Sequence, residues 1–274
     1  MLSTIIPASN EEGFIGACLR ALLASDPVPG GAEVIVVANG CSDATAETAR
    51  GFAAQAAAAG WGFRVLDLPK GGKPGALNAG DAAATGDIRA YLDADVTVSP
   101  GLMAALARAL AGDAPRYASG TPRVSRARSA VTRAYARFWT RLPFAQSAAP
   151  GFGLFAVNAA GRSRWGGFPA IISDDTFVRL LFTPEERIGL PQPYDWPMVE
   201  GFSRLVRVRR RQDAGVAEIA ALYPELPARE GKARLTPGAL TGMALRDPIG
   251  FATYAAVSLA VRSRRGTEVW TRGR

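Results

Sequence analysis

Two pairs of carboxylates stand out among the residues able to do chemistry. Asp93-Ala94-Asp95 follows the apolar run Ile88 to Leu92, and Asp174-Asp175 precedes Phe177, Val178, Leu180 and Leu181. Two acids flanking a small residue at the end of a buried strand put both carboxylates on one side of the chain. Magnesium and manganese take oxygen ligands, often one or two carboxylates together with substrate phosphates, so the first pair suits a metal–diphosphate complex. Taken alone, a capped turn with two solvated acids has the same sequence. Asp174 and Asp175 can cap the helix that follows, and capping is compatible with accepting a proton. The chain has no histidine. That removes histidine metal sites, Ser-His-Asp triads and histidine bases, and leaves acid–base work to Asp, Glu, Lys, Tyr or Cys.

The elements that must position these acids alternate between strand and helix over the first 110 or so residues. Ser3 to Ile6 is a short apolar strand. Asn10 is a good N-cap, with Glu11 and Glu12 in the first turn, before apolar residues at helical spacing from Phe14 to Leu23. Glu33 to Val37 reads as a buried parallel strand, and Asp43 as the cap of an Ala-rich helix to about Ala59. Phe63 to Leu68 and Ile88 to Leu92 are further strands, with a helix near Gly75 to Ala84 between them and another from Ser99-Pro100 to Gly112. This alternation predicts an α/β fold, a mostly parallel central sheet with helices on both faces. Ligands bind such sheets at the carboxyl ends of the strands, where Asn10, Asn39, Asp43, Asp93 and Asp95 fall. Residues 113–128 read as a loop or crossover, Ala130 to Trp139 as a helix, Leu154 to Val157 as a strand, and 223–238, with three prolines, as a linker.

Three segments share one context. Ile6-Pro7-Ala8-Ser9-Asn10-Glu11-Glu12 follows the first strand, Val36 to Thr45 the second, and Gly72-Lys73-Pro74-Gly75-Ala76-Leu77-Asn78 the third. With the acid-x-acid triplet they resemble, as an ordered set over roughly residues 1–190, the inverting family 2 glycosyltransferases, which have the GT-A fold. The resemblance implies that Pro7, Ala8 and Glu11 cradle the nucleoside of a nucleotide sugar. It places Asn39 where the family usually has an Asp that hydrogen-bonds the base. It adds Asp43 to the donor-binding set, sets Lys73 near the diphosphate, Asp93 at the ribose and Asp95 on a divalent metal, Mn or Mg. Asp174-Asp175 looks like the family's paired-acid motif, usually Glu-Asp, whose second acid is the expected base; Asp175 is therefore the expected catalytic base, with Asp174 beside it. Trp165 and Phe168, around Gly166-Gly167, are candidates for an acceptor platform, although two buried aromatics in a turn have the same pattern.

The partners this implies are a nucleotide-diphosphate sugar, a UDP-sugar first among them, and a sugar or lipid-linked acceptor. Many processive relatives carry Gln-x-x-Arg-Trp; here the corresponding stretch, Arg207-Val208-Arg209-Arg210-Arg211-Gln212, has no following Trp, which favours single transfer in cell-surface polysaccharide or glycolipid synthesis. A nucleotidyltransferase would show a Gly-rich, Arg-containing loop after the first strand, and a dinucleotide oxidoreductase a Gly-x-Gly-x-x-Gly turn; neither is present. A non-catalytic nucleotide-sugar module remains an alternative.

The net charge is +8, with 32 Lys and Arg against 24 Asp and Glu. Arginines concentrate between Arg116 and Arg141 and at Arg204, Arg207, Arg209, Arg210 and Arg211. Such charge suits an anionic partner, read here as phosphates or an anionic membrane and not nucleic acid. Two cysteines, Cys18 and Cys41, make no disulfide framework, and no signal peptide is visible; a cytoplasmic location is expected, peripheral at the inner face of the membrane. Ile249 to Val261 has no charge and precedes Arg262, Arg264 and Arg265. It is shorter than the roughly 20 apolar residues of a span, so core packing or an interfacial helix is expected. The expected domains are 1–215, catalytic, divided into a nucleotide-sugar half (1–112) and an acceptor half (113–215), then 216–274, a C-terminal linker and helical extension.

Overall fold

A computed structural model describes residues 1–231, 233 and 235–263. In chain order the elements are β1 (Leu2–Ala8), α1 (Glu12–Leu23), β2 (Ala32–Asn39), α2 (Thr45–Arg50), α3 (Ala53–Ala58), β3 (Gly62–Leu68), α4 (Lys73–Ala83), β4 (Ile88–Leu92), β5 (Thr97–Val98), α5 (Leu102–Ala109) and β6 (Tyr117–Val124). Then come α6 (Ala130–Trp139), β7 (Leu154–Val157), α7 (Ala159–Arg162), α8 (Asp174–Leu180), β8 (Arg187–Trp196), α9 (Phe202–Leu222), α10 (Pro237–Arg246) and α11 (Pro248–Ser263).

One eight-stranded mixed sheet runs in the order β3-β2-β1-β4-β7-β6-β8-β5. The first four are parallel, as the alternating pattern requires. Every residue of β2 is buried, which is why its centre, Val34 to Val37, is a continuous β-branched run rather than an alternating one. Ile5 of β1 pairs with Ile35 of β2 on one side and Tyr91 of β4 on the other. This register brings the carboxyl ends of β1, β2 and β4 to one edge, so that segments 8–12, 39–45 and 93–95 meet. On one face α4 lies directly on the sheet: a Cβ on Gly80 would stand 2.5 Å from the Ile5 side chain. One apolar cluster joins Ile15, Leu19 and Leu22 of α1 to Leu102 and Leu106 of α5. A second gathers Tyr117, Phe155, Phe177 and Phe182.

The structure departs from the sequence reading in five places. Residues 43–59 form two short helices, α2 and α3, separated at Gly51. The supposed loop 113–128 contains β6, and β8 was not anticipated because Pro191 and Pro193 interrupt its pattern. These strands pair in parallel across a register shift between Ser119 and Thr121, the kind of irregularity that accommodates proline in a sheet. The arginine-rich stretch is the middle of α9, which runs unbroken through residue 215, so the proposed boundary falls inside a helix. The linker is also partly docked: Leu226 is buried, and the carbonyls of Arg229 and Glu230 accept from the Arg187 guanidinium at 2.5 and 2.9 Å.

The C-terminal extension is helical, as expected. Val257 of α11 packs with Tyr135 of α6 and Leu205 and Val206 of α9. Asp247 locks the joint. Its carboxylate accepts two hydrogen bonds from Arg137, both at 2.7 Å, and one from the Gly250 N–H at 3.0 Å, capping α11. The Arg137 hydrogen bond, outweighing desolvation, holds this carboxyl down at about 2. Losing it would cost about 2–4 kcal/mol from charged hydrogen bonds and the cap together. Arg264 and Arg265 lie outside the described residues.

Candidate active site

A cleft of about 970 Å³ opens at the shared carboxyl edge of β1, β2 and β4. Its sheet side carries Pro7, Asn10, Glu11, Asn39, Lys73, Asp93 and Asp95; α6, α9 and the segment after β8 form the facing wall.

The loops at this edge are tied by their own polar side chains. Asn10 adopts a left-handed φ of 58°, and its Oδ1 accepts from the Ser42 N–H at 2.7 Å. It is thus a loop clamp, while Glu11 stands at the N-cap of α1. Asp43 accepts from Glu12 N at 3.2 Å, Thr45 N at 3.1 Å and Thr45 Oγ1 at 2.5 Å. Desolvation would raise the Asp43 carboxyl, but these hydrogen bonds outweigh it and lower it. Neither Asp43 nor Ala8 lines the cleft; Asp43 joins the loops after β1 and β2, and Ala8 is buried. Asn39 does line it, with its amide engaged inward. Its Nδ2 donates to the Ala8 and Val37 carbonyls at 2.9 and 3.3 Å, and its Oδ1 accepts from the Gly72 N–H at 3.0 Å. Asn39 thereby fixes the turn that launches α4.

Lys73, the first residue of α4, is what joins the two acidic motifs. Its Nζ lies 3.0 Å from Asp93 Oδ1 and 3.2 Å from Asp174 Oδ2. Burial alone would lower the ammonium's pKa, but the carboxylates of Asp174, Asp93 and Asp175 outweigh it and raise it. Asp174, only 4% exposed, is pushed up to about 6 by burial, with Asp175 and Asp93 adding to the rise and Lys73 opposing it. Asp175 is half-buried, and its Oδ1 accepts from the Thr176 N–H at 2.6 Å. It faces a small recess shared with Asp93, Lys73, Asp174 and Gly151 rather than the main cleft.

Asp95 is half-buried and lines the cleft. Among the described residues no three His, Cys, Asp or Glu side chains converge on one point, so these residues offer no all-protein metal cage. One carboxylate at the carboxyl edge of a parallel sheet still fits a hard divalent ion of the kind that completes its shell from ligand oxygens and water.

The two aromatics expected at an acceptor platform do not reach the cleft. Trp165 and Phe168 are 8% and 4% exposed, packed edge to face in the core and absent from the cleft lining. The Asn78 side chain accepts from Phe168 N at 2.6 Å and donates to its carbonyl at 3.1 Å, fixing that turn from α4. Four aromatics do line the cleft, Phe14, Tyr135, Trp139 and Trp196, and sequence reasoning assigned none of them to the site. The two indoles stack with centroids 6.0 Å apart. Trp139 ends a helix that the sequence delimited correctly; Trp196 ends β8, which it did not reveal.

Residues 3–163, more than half of the chain, match the model of Glycosyl transferase family 2, and the chain belongs to that family. No curated protein sequence matches it. A mannosyltransferase from Pyrobaculum calidifontis, in complex with GDP-Man and Mn2+, is similar over 97% of this chain and 76% of that one, with TM-score 0.57 and 22% identity. S. aureus TarS 1–349 in complex with UDP is similar over 77% of this chain at TM-score 0.55 and 16% identity, and this chain spans 63% of that fragment. Glucosyl-3-phosphoglycerate synthase from Mycobacterium tuberculosis, with Mn2+, UDP and glucosyl-3-phosphoglycerate, covers 81% of this chain and 79% of its own at TM-score 0.50 and 19% identity. These identities speak to the fold, which is GT-A.

Proposed function

We propose that the cleft transfers a sugar from a nucleoside-diphosphate donor to an acceptor hydroxyl by a single displacement with inversion. The observation that carries this reading is the ion-paired bridge from Asp93 through Lys73 to Asp174, at 3.0 and 3.2 Å. It joins a donor-side motif to an acid pair some eighty residues away, at the edge where an α/β sheet binds ligands.

In this reading Pro7, Glu11 and Asn39 border the nucleoside, and Lys73 meets the diphosphate. Asp95 would hold Mn or Mg, which when bound supplies positive charge at the diphosphate. Asp175 takes the proton of the acceptor hydroxyl as its oxygen bonds to the anomeric carbon; the bond from that carbon to the diphosphate oxygen breaks with its electron pair. Asp174, held by Lys73, positions the acid pair. Tyr135, Trp139 and Trp196 replace Trp165 and Phe168 as the acceptor-side aromatics. The complexes of similar proteins hold UDP or GDP-mannose, and a UDP-sugar is the first donor to try. The missing Trp after Gln212 supports single transfer.

The same reading sets the enzyme at the cytoplasmic face of an anionic membrane, in polysaccharide or glycolipid synthesis. No helix among the described residues is long and apolar enough to cross a bilayer. Leu245, Ile249 and Leu259 are nonetheless 78%, 68% and 65% exposed, and such a face suits an interfacial contact. The decisive experiment is release of sugar from a panel of nucleotide sugars with manganese. Metal-dependent hydrolysis of one donor is expected; tight binding of a donor with no turnover would make the protein a binding module.

A further inference from the structure

The acid pair enters α8 from a loop that another helix holds. Helix α9 runs past the cleft, where Arg211 and Gln212 line the wall, and then meets residues 171–173. Arg211, Gly215 and Glu218 stand at i, i+4 and i+7, on one side of that helix. Gly215 is buried, and the loop lies directly against it. A Cβ there would collide with the Ser173 hydroxyl and stand 3.0 Å from the Ser173 Cβ and 3.1 Å from the Ile172 side chain. A glycine in a helix interior is destabilising relative to alanine, and this close approach accounts for it. One turn further on, Glu218 Oε2 accepts from the Ile172 N–H at 2.8 Å. This half-buried carboxylate makes no ion pair among the described residues.

The loop does not hold itself. Ser173 is the N-cap of α8, yet its side chain makes no capping hydrogen bond. The Ile171 N–H donates within the segment, to the Pro169 carbonyl at 2.9 Å. Among the described residues, Glu218 is the one side chain of another element that bonds the backbone of 169–173. The next two residues are Asp174 and Asp175. Lys73 of α4 reaches Asp174 at 3.2 Å. The acid pair is thus held from α4 through its own carboxylate and from α9 through the Ile172 amide. Apolar docking of α9 is already supplied by Ile219, packed with Phe177 and Val178 of α8. The Glu218 bond adds direction, and a bond from an N–H to a carboxylate is of the stronger, charge-assisted kind. We propose that Glu218 is a positioning residue: holding the Ile172 N–H, it fixes the entry of α8 and so the direction in which Asp174 and Asp175 present their carboxylates to the acceptor. The word acceptor rests on the glycosyltransferase reading; the hold on the loop does not.

The test compares Glu218→Met, which keeps length and helix propensity but cannot accept the bond, with Glu218→Gln, which can. Transfer is assayed on the full chain well below the melting midpoint, and calorimetry of UDP with manganese on the same samples counts the folded sites. In Glu218→Met, kcat per folded site is expected to fall by about tenfold or more, because a misplacement of about 1 Å costs up to about 10²-fold. Donor KM and UDP affinity stay near wild type, and Glu218→Gln regains most of the rate. A purely structural role would lower the number of folded sites and leave kcat per site unchanged; that result overturns the proposal. So does Glu218→Gln as slow as Glu218→Met, since the charge and not the bond would then matter. A parallel loss of UDP affinity overturns it too, because Glu218 would then serve the donor cleft. Hydrogen exchange at the Ile172 amide reads the hold without any turnover, and is expected to be about tenfold faster in Glu218→Met than in wild type. Wild type that turns over no donor sinks the transferase reading by itself. Faster exchange in Glu218→Met then leaves the hold on the loop standing, and unchanged exchange overturns it.

Discussion

Asp175→Asn separates chemistry from structure more cleanly than any other substitution in the site. Asp175 makes one polar contact within its own helix, the 2.6 Å hydrogen bond from Thr176 N to Oδ1. An Asn carbonyl oxygen can accept the same bond, and Asp and Asn are nearly equivalent at helix N-termini, so the folding cost is a few tenths of a kcal/mol at most. Lys73 keeps both close partners, Asp93 and Asp174, and the donor edge is unaltered. What disappears is the ability to take a proton. Loss of a general base typically lowers the rate by about 10²- to 10⁴-fold, or roughly 3–5.5 kcal/mol of barrier. The assay is transfer to a confirmed acceptor at saturating donor, with a UDP titration and a thermal melt on the same protein. Turnover should fall by at least a hundredfold, with donor affinity and melting midpoint near wild type. Near-normal turnover would refute the assignment and make Asp174 the first alternative.

Two further expectations follow from the charged bridge and the C-terminal helices. Burial raises the folded pKa of Asp174 to about 6, above the roughly 3.9 of a solvated Asp, so the folded state binds the extra proton and this carboxyl costs stability as pH rises through that window. Lys73→Met removes the cation that opposes the rise and pushes it further. Near pH 5 Asp174 is largely protonated with or without Lys73, so urea unfolding should show a deficit that widens from pH 5 to pH 8, by about 1 kcal/mol for each unit of pKa that Lys73 holds down; an equal deficit at both values would contradict the pairing. On α11, the double change Ile249→Ser/Leu259→Ser touches exposed side chains and should weaken sedimentation with anionic liposomes without lowering the thermal midpoint. Wild-type protein that ignores such liposomes would remove the membrane contact from the account.

The parallel half of the fold was legible because its central strands, β1 and β2, are buried on both faces. Continuous runs such as Glu33 to Val37 admit few other readings, and the polar residues at their ends then fall on one edge by the geometry of parallel pairing. The second half was opaque for local reasons. β6 carries Gly120 and Pro122, and β8 carries Pro191 and Pro193, so neither shows a period. A Cβ on Gly120 would stand 2.6 Å from the Gln192 carbonyl, a constraint visible only once the two strands are side by side. The candidate site followed the same division. Asp93, Asp174 and Asp175 stood out as paired acids and Lys73 through the family resemblance, and the structure brings the four together. Asp43 and Asn39 were read as donor contacts, yet their polar atoms tie the loops and the α4 turn, because a short polar side chain beside unpaired backbone groups finds a partner there first. Trp165 and Phe168, whose pattern suited either an acceptor platform or a turn with two buried aromatics, are core. The cleft wall built by α6, β8 and α9 depended on long-range packing that no local pattern encodes.

The measurement that bears most directly on the central claim is calorimetric titration of UDP and GDP into the wild-type protein and Asp95→Ala, each with manganese and with chelator. A sheet edge carrying Asp93 and Asp95 repels a diphosphate of like charge unless a cation intervenes. Wild type should bind at least one of the two nucleotides in manganese and lose most of that affinity in chelator, and Asp95→Ala should bind equally weakly in both. Equal affinity of wild type with and without manganese, or an undiminished manganese effect in Asp95→Ala, would contradict the account.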